Sequence, residues 1–341
     1  MGQLGLFDLQ NRMEKLNEKD KLLRLSSRID WSIFKGGLKK AMEKDRKSQA
    51  GRPPFDIEKM FRVLVLQRLY NLSDGEMEFQ LRDRLSFCRF CGFGTEERTP
   101  DEKTIWYYRE LLTETKTIRK LFDRFDHYLR EHGMEAKGGQ IIDASFVEVP
   151  KQRNNREENE EIKNSKTPES WQNQPAKARQ KDCDARWTKK NDESYYGYKN
   201  HINVDVKRKI IRDYSVTDAS VHDSQELKTL LDPWNSGQGV WADSAYKSEE
   251  IEEHLREMMH TSHINHKGYR NHPLSEFQIE QNRNRSSIRA RVEHVFGFMA
   301  NTMKSSVIRG IGMARAEAKI GLMNLVYNLC RFEQVRRGCC A

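Results

Sequence analysis

Three carboxylates stand where a charge is hard to keep. Asp143 lies inside the apolar run Ile141-Ile142-Asp143-Ala144, Asp243 directly follows Val240-Trp241-Ala242, and Glu293 sits in the stretch RARVEHVFG (289–297). An ionised side chain in such a setting is costly unless it is paired or binds a metal. Oxygen donors alone suit Mg²⁺ or Mn²⁺ rather than zinc. Two such ions, about 3.5–4 Å apart, can activate an attacking oxygen and stabilise a leaving one in phosphoryl transfer. Taken singly, each residue also suits a structural role: Asp143 capping a strand, Asp243 opening a turn, Glu293 pairing with Arg289. Their joint occurrence amid basic residues favours the chemical reading. Asp205, Asp213, Asp218 and Asp223 are weaker candidates, because hairpins and loops carry solvated carboxylates routinely.

A second constellation is the C-x2-C pair Cys88 and Cys91, with His260 and His263 as the only other close pair of zinc-type ligands. A structural zinc site draws four ligands, usually as two close pairs, and these pairs stand almost half the chain apart. Reduced, partly buried thiols in a cytosolic protein are the better reading.

The elements that must position these residues can be read from periodicity. Residues 1–50 look helical and basic, ending in Lys39, Lys40, Lys44, Arg46 and Lys47 before the breaker AGRPP (50–54). Met60, Val63, Leu64, Leu66 and Leu69 predict an amphipathic helix over 55–71. Ser73 and Glu76 read as a capping box opening a second helix through Met77, Leu81 and Leu85. Two helices across a short turn, carrying Arg62, Arg68, Arg82, Arg84 and Arg89, suggest a helix-turn-helix-like DNA-binding unit. A helical stretch follows from Lys103 to His132. The period then changes to strands: 138–149, a hairpin over 195–216 turning at Lys207-Arg208-Lys209, Val240–Ala242 and a weaker one near Ser262–Asn265. Helices are expected at His222–Leu231, Ser248–Met258, from near Asn282, and from about Ala314 to Phe332. On the helix from Asn282, Ile288, Val292, Val295, Met299 and Met303 form the core stripe, with Ser286, Arg289, Glu293, Gly297 and Ala300 beside it. This order gives an α/β mixed sheet with flanking helices, preceded by an all-α N-terminal region. Residues 151–194 hold 20 charged residues and seven apolar ones, and read as a mobile polar insertion unable to fold alone.

The whole chain has 341 residues and a formal net charge of +9. No apolar run approaches the ~18 residues of a membrane span, and Met1 opens onto no signal-peptide pattern. The reading is a soluble cytoplasmic protein with an anionic partner. Much of the positive excess is local: residues 267–315 carry nine Lys and Arg against three acidic residues, around Glu293.

Several stretches carry a resemblance: residues 51–90, DARWTKK (184–190), YYGYKNHINVD (195–205), SVTDASVHDSQEL (215–227), WADSAYKS (241–248) and RARVEHVFG (289–297). Over about 51–330 the chain resembles the DDE transposases of prokaryotic insertion sequences, in the group called the insertion-sequence-five family. The resemblance implies a ribonuclease-H-like catalytic domain over 138–333, with the insertion 151–194, a helical DNA-binding domain over 51–137, a basic segment 1–50 and a tail 334–341. It implies Asp143, Asp243 and Glu293 as the catalytic triad, holding two Mg²⁺ or Mn²⁺ ions per site. The partners implied are double-stranded DNA, as terminal inverted repeats and target, and further copies of the chain in a synaptic complex of two or more. The location implied is the prokaryotic cytoplasm, at the nucleoid when bound to DNA. One departure stands out. Where related transposases carry a Tyr, Arg, Glu, Lys signature, this chain has Ser286, Arg289, Glu293 and Ala300, leaving Lys304 as the candidate phosphate contact. Arg62, Arg68, Arg82, Arg84, Lys199, His201, Tyr246, Lys247, Arg289, Arg291 and Lys304 are the candidate DNA-binding residues. A non-catalytic, domesticated DNA-binding protein is the alternative.

Overall fold

Side-chain caps start the helices of the N-terminal half. In the computed structural model, which describes residues 20–43, 53–164, 166–190, 192–233, 235 and 238–338, Asp20 accepts from the N–H groups of Leu22 and Leu23 to open α1 (Lys21–Arg28). Asp56 and Asp101 do the same for α3 (Ile57–Tyr70) and α6 (Glu102–Glu114). Between them lie α2 (Lys35–Met42), α4 (Asp74–Asp83) and α5 (Leu85–Cys91), and α7 (Thr117–Glu131) follows. The expected capping box is half made: Ser73 Oγ accepts from Glu76 N–H, while the Glu76 carboxylate accepts from Gln80. The predicted helix 103–132 is two helices, broken where Lys116 takes a left-handed conformation (φ 49°). Lys44, Arg46, Lys47, Cys339 and Cys340 lie outside the described residues.

The rest is built on a six-stranded mixed sheet. Strand β1 (Gln140–Glu148) pairs antiparallel with the long β3 (Glu193–Asp205), which pairs antiparallel with β2 (Arg186–Lys190) and β4 (Ile211–Asp218). On its other side β1 runs parallel to β5 (Gly239–Trp241), and β5 parallel to β6 (Thr261–Ser262). The order β4-β3-β1-β5-β6, with helices on both faces, is the ribonuclease-H-like arrangement. Gly139 enters β1 at φ +90°, and a Cβ there would lie 2.4 Å from the Trp241 ring, so only glycine fits.

Residues opposite each other in an antiparallel pair share a face, and β3 shows two different ones. Tyr196, Tyr198, Ile202 and Val204 join Ile141 and Val147 of β1 in a core that also takes in Leu22, Phe61, Phe125 and Phe332. Helix α14 (Met313–Gly338) supplies much of it, packing against α7, β4, α3, α6 and α1. The N-terminal helices and one sheet face therefore share one core. The other face packs Ile142 and Val240 with Leu227 and Leu230 of α10 (Leu227–Leu230) and Ile251 and Leu255 of α11 (Glu249–Glu257).

The polar insertion is folded. It forms α8 (Arg156–Lys163) and the short α9 (Pro175–Ala178) around Trp171, which is 1% exposed. The Trp171 indole N–H and Lys177 both donate to Glu158. Composition undercounted this segment because one aromatic nucleus and one buried carboxylate do the organising. The predicted helix from Asn282 starts earlier, as α12 (Glu276–Arg289), on a Ser275–Gln278 capping box visible in the sequence. It breaks at Ala290 before α13 (Arg291–Gly297). No helix among the described residues is long and apolar enough to cross a membrane.

Candidate active site

The sheet register brings the first two carboxylates together. Ile141 pairs with Trp241 across the parallel β1–β5 ladder, so Asp143 within β1 and Asp243 just past the end of β5, each two residues further on, stand at matching positions. Asp243 leaves the strand as the cap of a single turn, its Oδ1 accepting from Ala245 N–H at 2.7 Å. That is the turn-opening role expected of it singly. Helix α13 packs on β1, turning Val292 and Val295 into the core and leaving Glu293 exposed.

Arg289 does not pair with Glu293. Its Nη1 donates to Asp143 Oδ2 at 2.8 Å, because the last turn of α12 points across the strand ends. Asp143 is 8% exposed, and its Oδ1 accepts from Ala144 N–H. Burial pushes its carboxyl up to about 6; Arg289 works against that rise, and the charges of Asp243 and Glu293 add to it. The three carboxylates share one electrostatic field. Among the described residues, however, no three Asp, Glu, His or Cys side chains converge closely enough to chelate an ion. The donor chemistry suits a hard divalent cation, since every candidate ligand is a carboxylate and a cation would offset the burial of Asp143.

Sequence reasoning missed one neighbour, Asn265. Asn265 N–H donates to the Ala242 carbonyl, which sets Asn265 beside Asp243. Its Nδ2 donates to Ser286 Oγ at 3.1 Å, and its Oδ1 is buried with no partner. Asn265 thus meets Ser286 on α12. The available signal was position: residues just past the carboxyl ends of adjacent parallel strands point into one crevice.

The candidate DNA contacts divide. Lys199 and His201, on the face of β3 opposite its large apolar core, and Tyr246, in the turn after β5, are all buried rather than open to DNA. The β3 face of Lys199 and His201 is covered by the short helical segment 223–230, and Lys199 pairs with Asp223 at 2.8 Å. His201 meets Thr217 Oγ1, and burial pushes its imidazole down to about 4. The Tyr246 hydroxyl has no hydrogen-bond partner, and burial, with Asp143, Asp223 and Asp243 nearby, raises it well above the usual range. Lys247 pairs with Glu252, and Arg62 pairs with Glu58 while covering the Trp31 ring. Arg68 is 9% exposed and donates to Asn71 and Ser305. Arg82 pairs with Glu78 within its helix, Arg84 lies over Phe87, and Arg291 donates to the Val206 carbonyl. Lys304 lies beyond the helix end at φ 47°, exposed, its carbonyl held by Asn71. Of these eleven residues, Arg289 is the one bonded to a triad carboxylate. Cys88 and Cys91 lie on α5, and His260 and His263 flank β6. Cys91 is buried, and Cys88 donates to the Leu81 carbonyl.

A family model described as "Transposase DDE domain" matches residues 135–329, and one described as "Transposase domain (DUF772)" matches residues 10–111. Among solved structures, the chain is similar to the cryo-EM structure of a piggyBac transposase synaptic complex with hairpin DNA. Identity is 14% and the TM-score 0.45, with 90% of this chain and 73% of that chain covered.

Proposed function

The chain belongs to the transposase DDE-domain family, and from that premise we propose that it binds the terminal inverted repeats of its own element and cuts and joins DNA strands at Asp143, Asp243 and Glu293. The observation that supports this is the β1–β5 register, which sets Asp143 level with Asp243, together with the packing on β1 of α13, the helix that carries Glu293. Two Mg²⁺ or Mn²⁺ ions, when held by these carboxylates, supply Lewis acidity to the phosphoryl group and to the attacking water or 3′-hydroxyl.

The chain's own residues have definite tasks. Asp143 must be ionised to act as a ligand, and burial, the largest cause, raises its carboxyl to about 6, a rise that a bound cation would oppose. Arg289 holds Asp143 Oδ2 in position. From there the Arg289 guanidinium, beside the carboxylates, would also be placed to neutralise charge on a substrate phosphate. Asn265 and Ser286 hold the end of β6 against α12, which fixes the wall next to Asp243. The helical unit 51–137 is assigned to recognition of the DNA ends and 138–333 to the chemistry. The working complex is assigned two or more copies of the chain.

The test is Mg²⁺-dependent cleavage of a matching terminal repeat. Asp143→Asn and Glu293→Gln should each lower it by on the order of 10²–10³-fold or more, while affinity for the DNA end stays within a few-fold. Unchanged cleavage would overturn the triad. Binding without any cleavage by the wild-type chain would instead mark a non-catalytic DNA-binding protein.

A further inference from the structure

A second concentration of positive charge lies away from the carboxylates. A cleft of about 710 Å³ is walled by α6, the segment leaving β1, residues 180–182 of the insertion, the loop before α14 and that helix's first turns. Seven cations line it: Arg109, which pairs with Asp74, Arg315, and Lys151, Arg153, Lys181, Arg309 and Lys319. Its two carboxylates are already engaged. Glu110 pairs with Arg315 at 2.7 Å, and Asp182 accepts from the Tyr198 hydroxyl and three backbone N–H groups.

A smaller cavity of about 420 Å³ shares Arg109, Arg309 and Lys319 with the cleft and adds Arg68. Arg68 and Lys319 are both pushed down, to about 10 and about 8. Burial is the main cause for each, and for Lys319 the neighbouring Arg109 and Arg68 add to it. Cations gathered and partly buried in this way carry a desolvation cost that an anion would offset. The walls belong to four separate parts of the chain, so the charge is collected by the fold and not by a local run.

We propose that this cleft is a second DNA-backbone site, in which Lys151, Arg153, Arg309 and Lys319 grip phosphates of the duplex that flanks the bond being cut. The inference rests on the transposase reading above. Val149, at the cleft wall, lies six residues along the chain from Asp143, roughly 20 Å at ~3.3 Å per strand residue. A strand leaving the carboxylates in that direction reaches the cleft about six nucleotides on, at ~3.4 Å per nucleotide. The contacts are to phosphates, so they position DNA without reading its sequence.

The experiment measures binding of the full chain to a labelled 40-base-pair duplex of arbitrary sequence over a range of salt concentrations. Lys151, Arg153 and Arg309 are exposed, so their replacement by glutamine leaves the fold intact, which a thermal melt checks. The triple variant Lys151→Gln/Arg153→Gln/Arg309→Gln should lower the slope of log affinity against log salt by about 2.7, at ~0.9 per lost phosphate contact. A control triple, Lys120→Gln/Lys163→Gln/Arg256→Gln, should leave it unchanged. An unaltered slope in the cleft triple, an equal change in the control, or no DNA binding by the wild type would overturn the proposal. Failure of the catalytic reading looks different: a wild-type chain with the full salt slope that cuts no DNA in Mg²⁺ loses its triad and keeps its cleft.

Discussion

Asp182 offers a sharp test of how the insertion is held to the sheet. It is 1% exposed, and its carboxylate accepts from Tyr198 Oη at 2.9 and 2.8 Å, from Asp184 and Ala185 N–H at 2.9 and 3.0 Å, and from Gly312 N–H at 3.1 Å. One side chain thus ties the insertion to β3 and to the start of α14. Asp182→Asn keeps the shape but turns one acceptor oxygen into a donor. Either Gly312 N–H or the Asp184–Ala185 pair then faces another N–H. At roughly 1.5–3 kcal/mol for each hydrogen bond to a charged group, the cost is about 3–5 kcal/mol. Tyr198→Phe removes the hydroxyl alone and leaves three N–H donors on the carboxylate, so it should cost only about 1.5–2 kcal/mol. Native-state hydrogen exchange reads the result locally. Protection at Ala185 and Gly312 should fall by between roughly a hundredfold and a few thousandfold in Asp182→Asn, at ~1.4 kcal/mol per decade. The double variant should cost at least about 1 kcal/mol less than the sum of the singles, since the two groups share one contact. Protection within tenfold of wild type, or strict additivity, would refute the linking role.

Two further outcomes follow from buried groups. His201 is neutral in the fold, its pKa lowered from 6.5 to about 4 by burial. The unfolded chain therefore binds the extra proton between those values, and the stability it confers above pH 6.5 is lost as pH falls through 4. Relative to His201→Gln, the wild type should lose about 1.4 kcal/mol between pH 7.5 and pH 5.5, measured by guanidinium unfolding; a constant difference would contradict the burial. Trp171→Ala empties the nucleus of the insertion and should cost about 3–5 kcal/mol there, so brief proteolysis should cut within residues 151–185 while the sheet stays whole; equal cleavage of both chains would show that Trp171 is not the anchor.

Much of the sheet was legible because its signals are local. Alternation along 196–206 picked out the core face of β3, and the apolar runs before Asp143 and Asp243 marked the strands that now lie side by side. What failed was everything that depended on distant partners. The second face of β3 is also buried, since Lys199 finds Asp223, His201 finds Thr217 and Asn203 finds Gln140. Nothing within the hairpin reveals those pairings. Arg62 looked like a DNA contact by type and spacing, yet Glu58 and Trp31 hold it. The Arg289–Asp143 pair spans 146 residues, beyond any periodicity. In the site, the carboxylates were readable from chemistry, but Asn265 was visible only as a position past a two-residue strand.

The long helix Met313–Gly338 also sets an order of assembly. It is synthesised after every element it packs against, and it completes the core shared by the N-terminal helices and the sheet. Until it emerges, α7 and β4 present Phe122, Phe125 and Tyr214 to solvent, and the Asn200 amide lacks the reciprocal pair it makes with Asn324. Neither half can close alone. Folding of the two halves is therefore one late, coupled event rather than two successive ones, and an incomplete chain would be held in an open, aggregation-prone state.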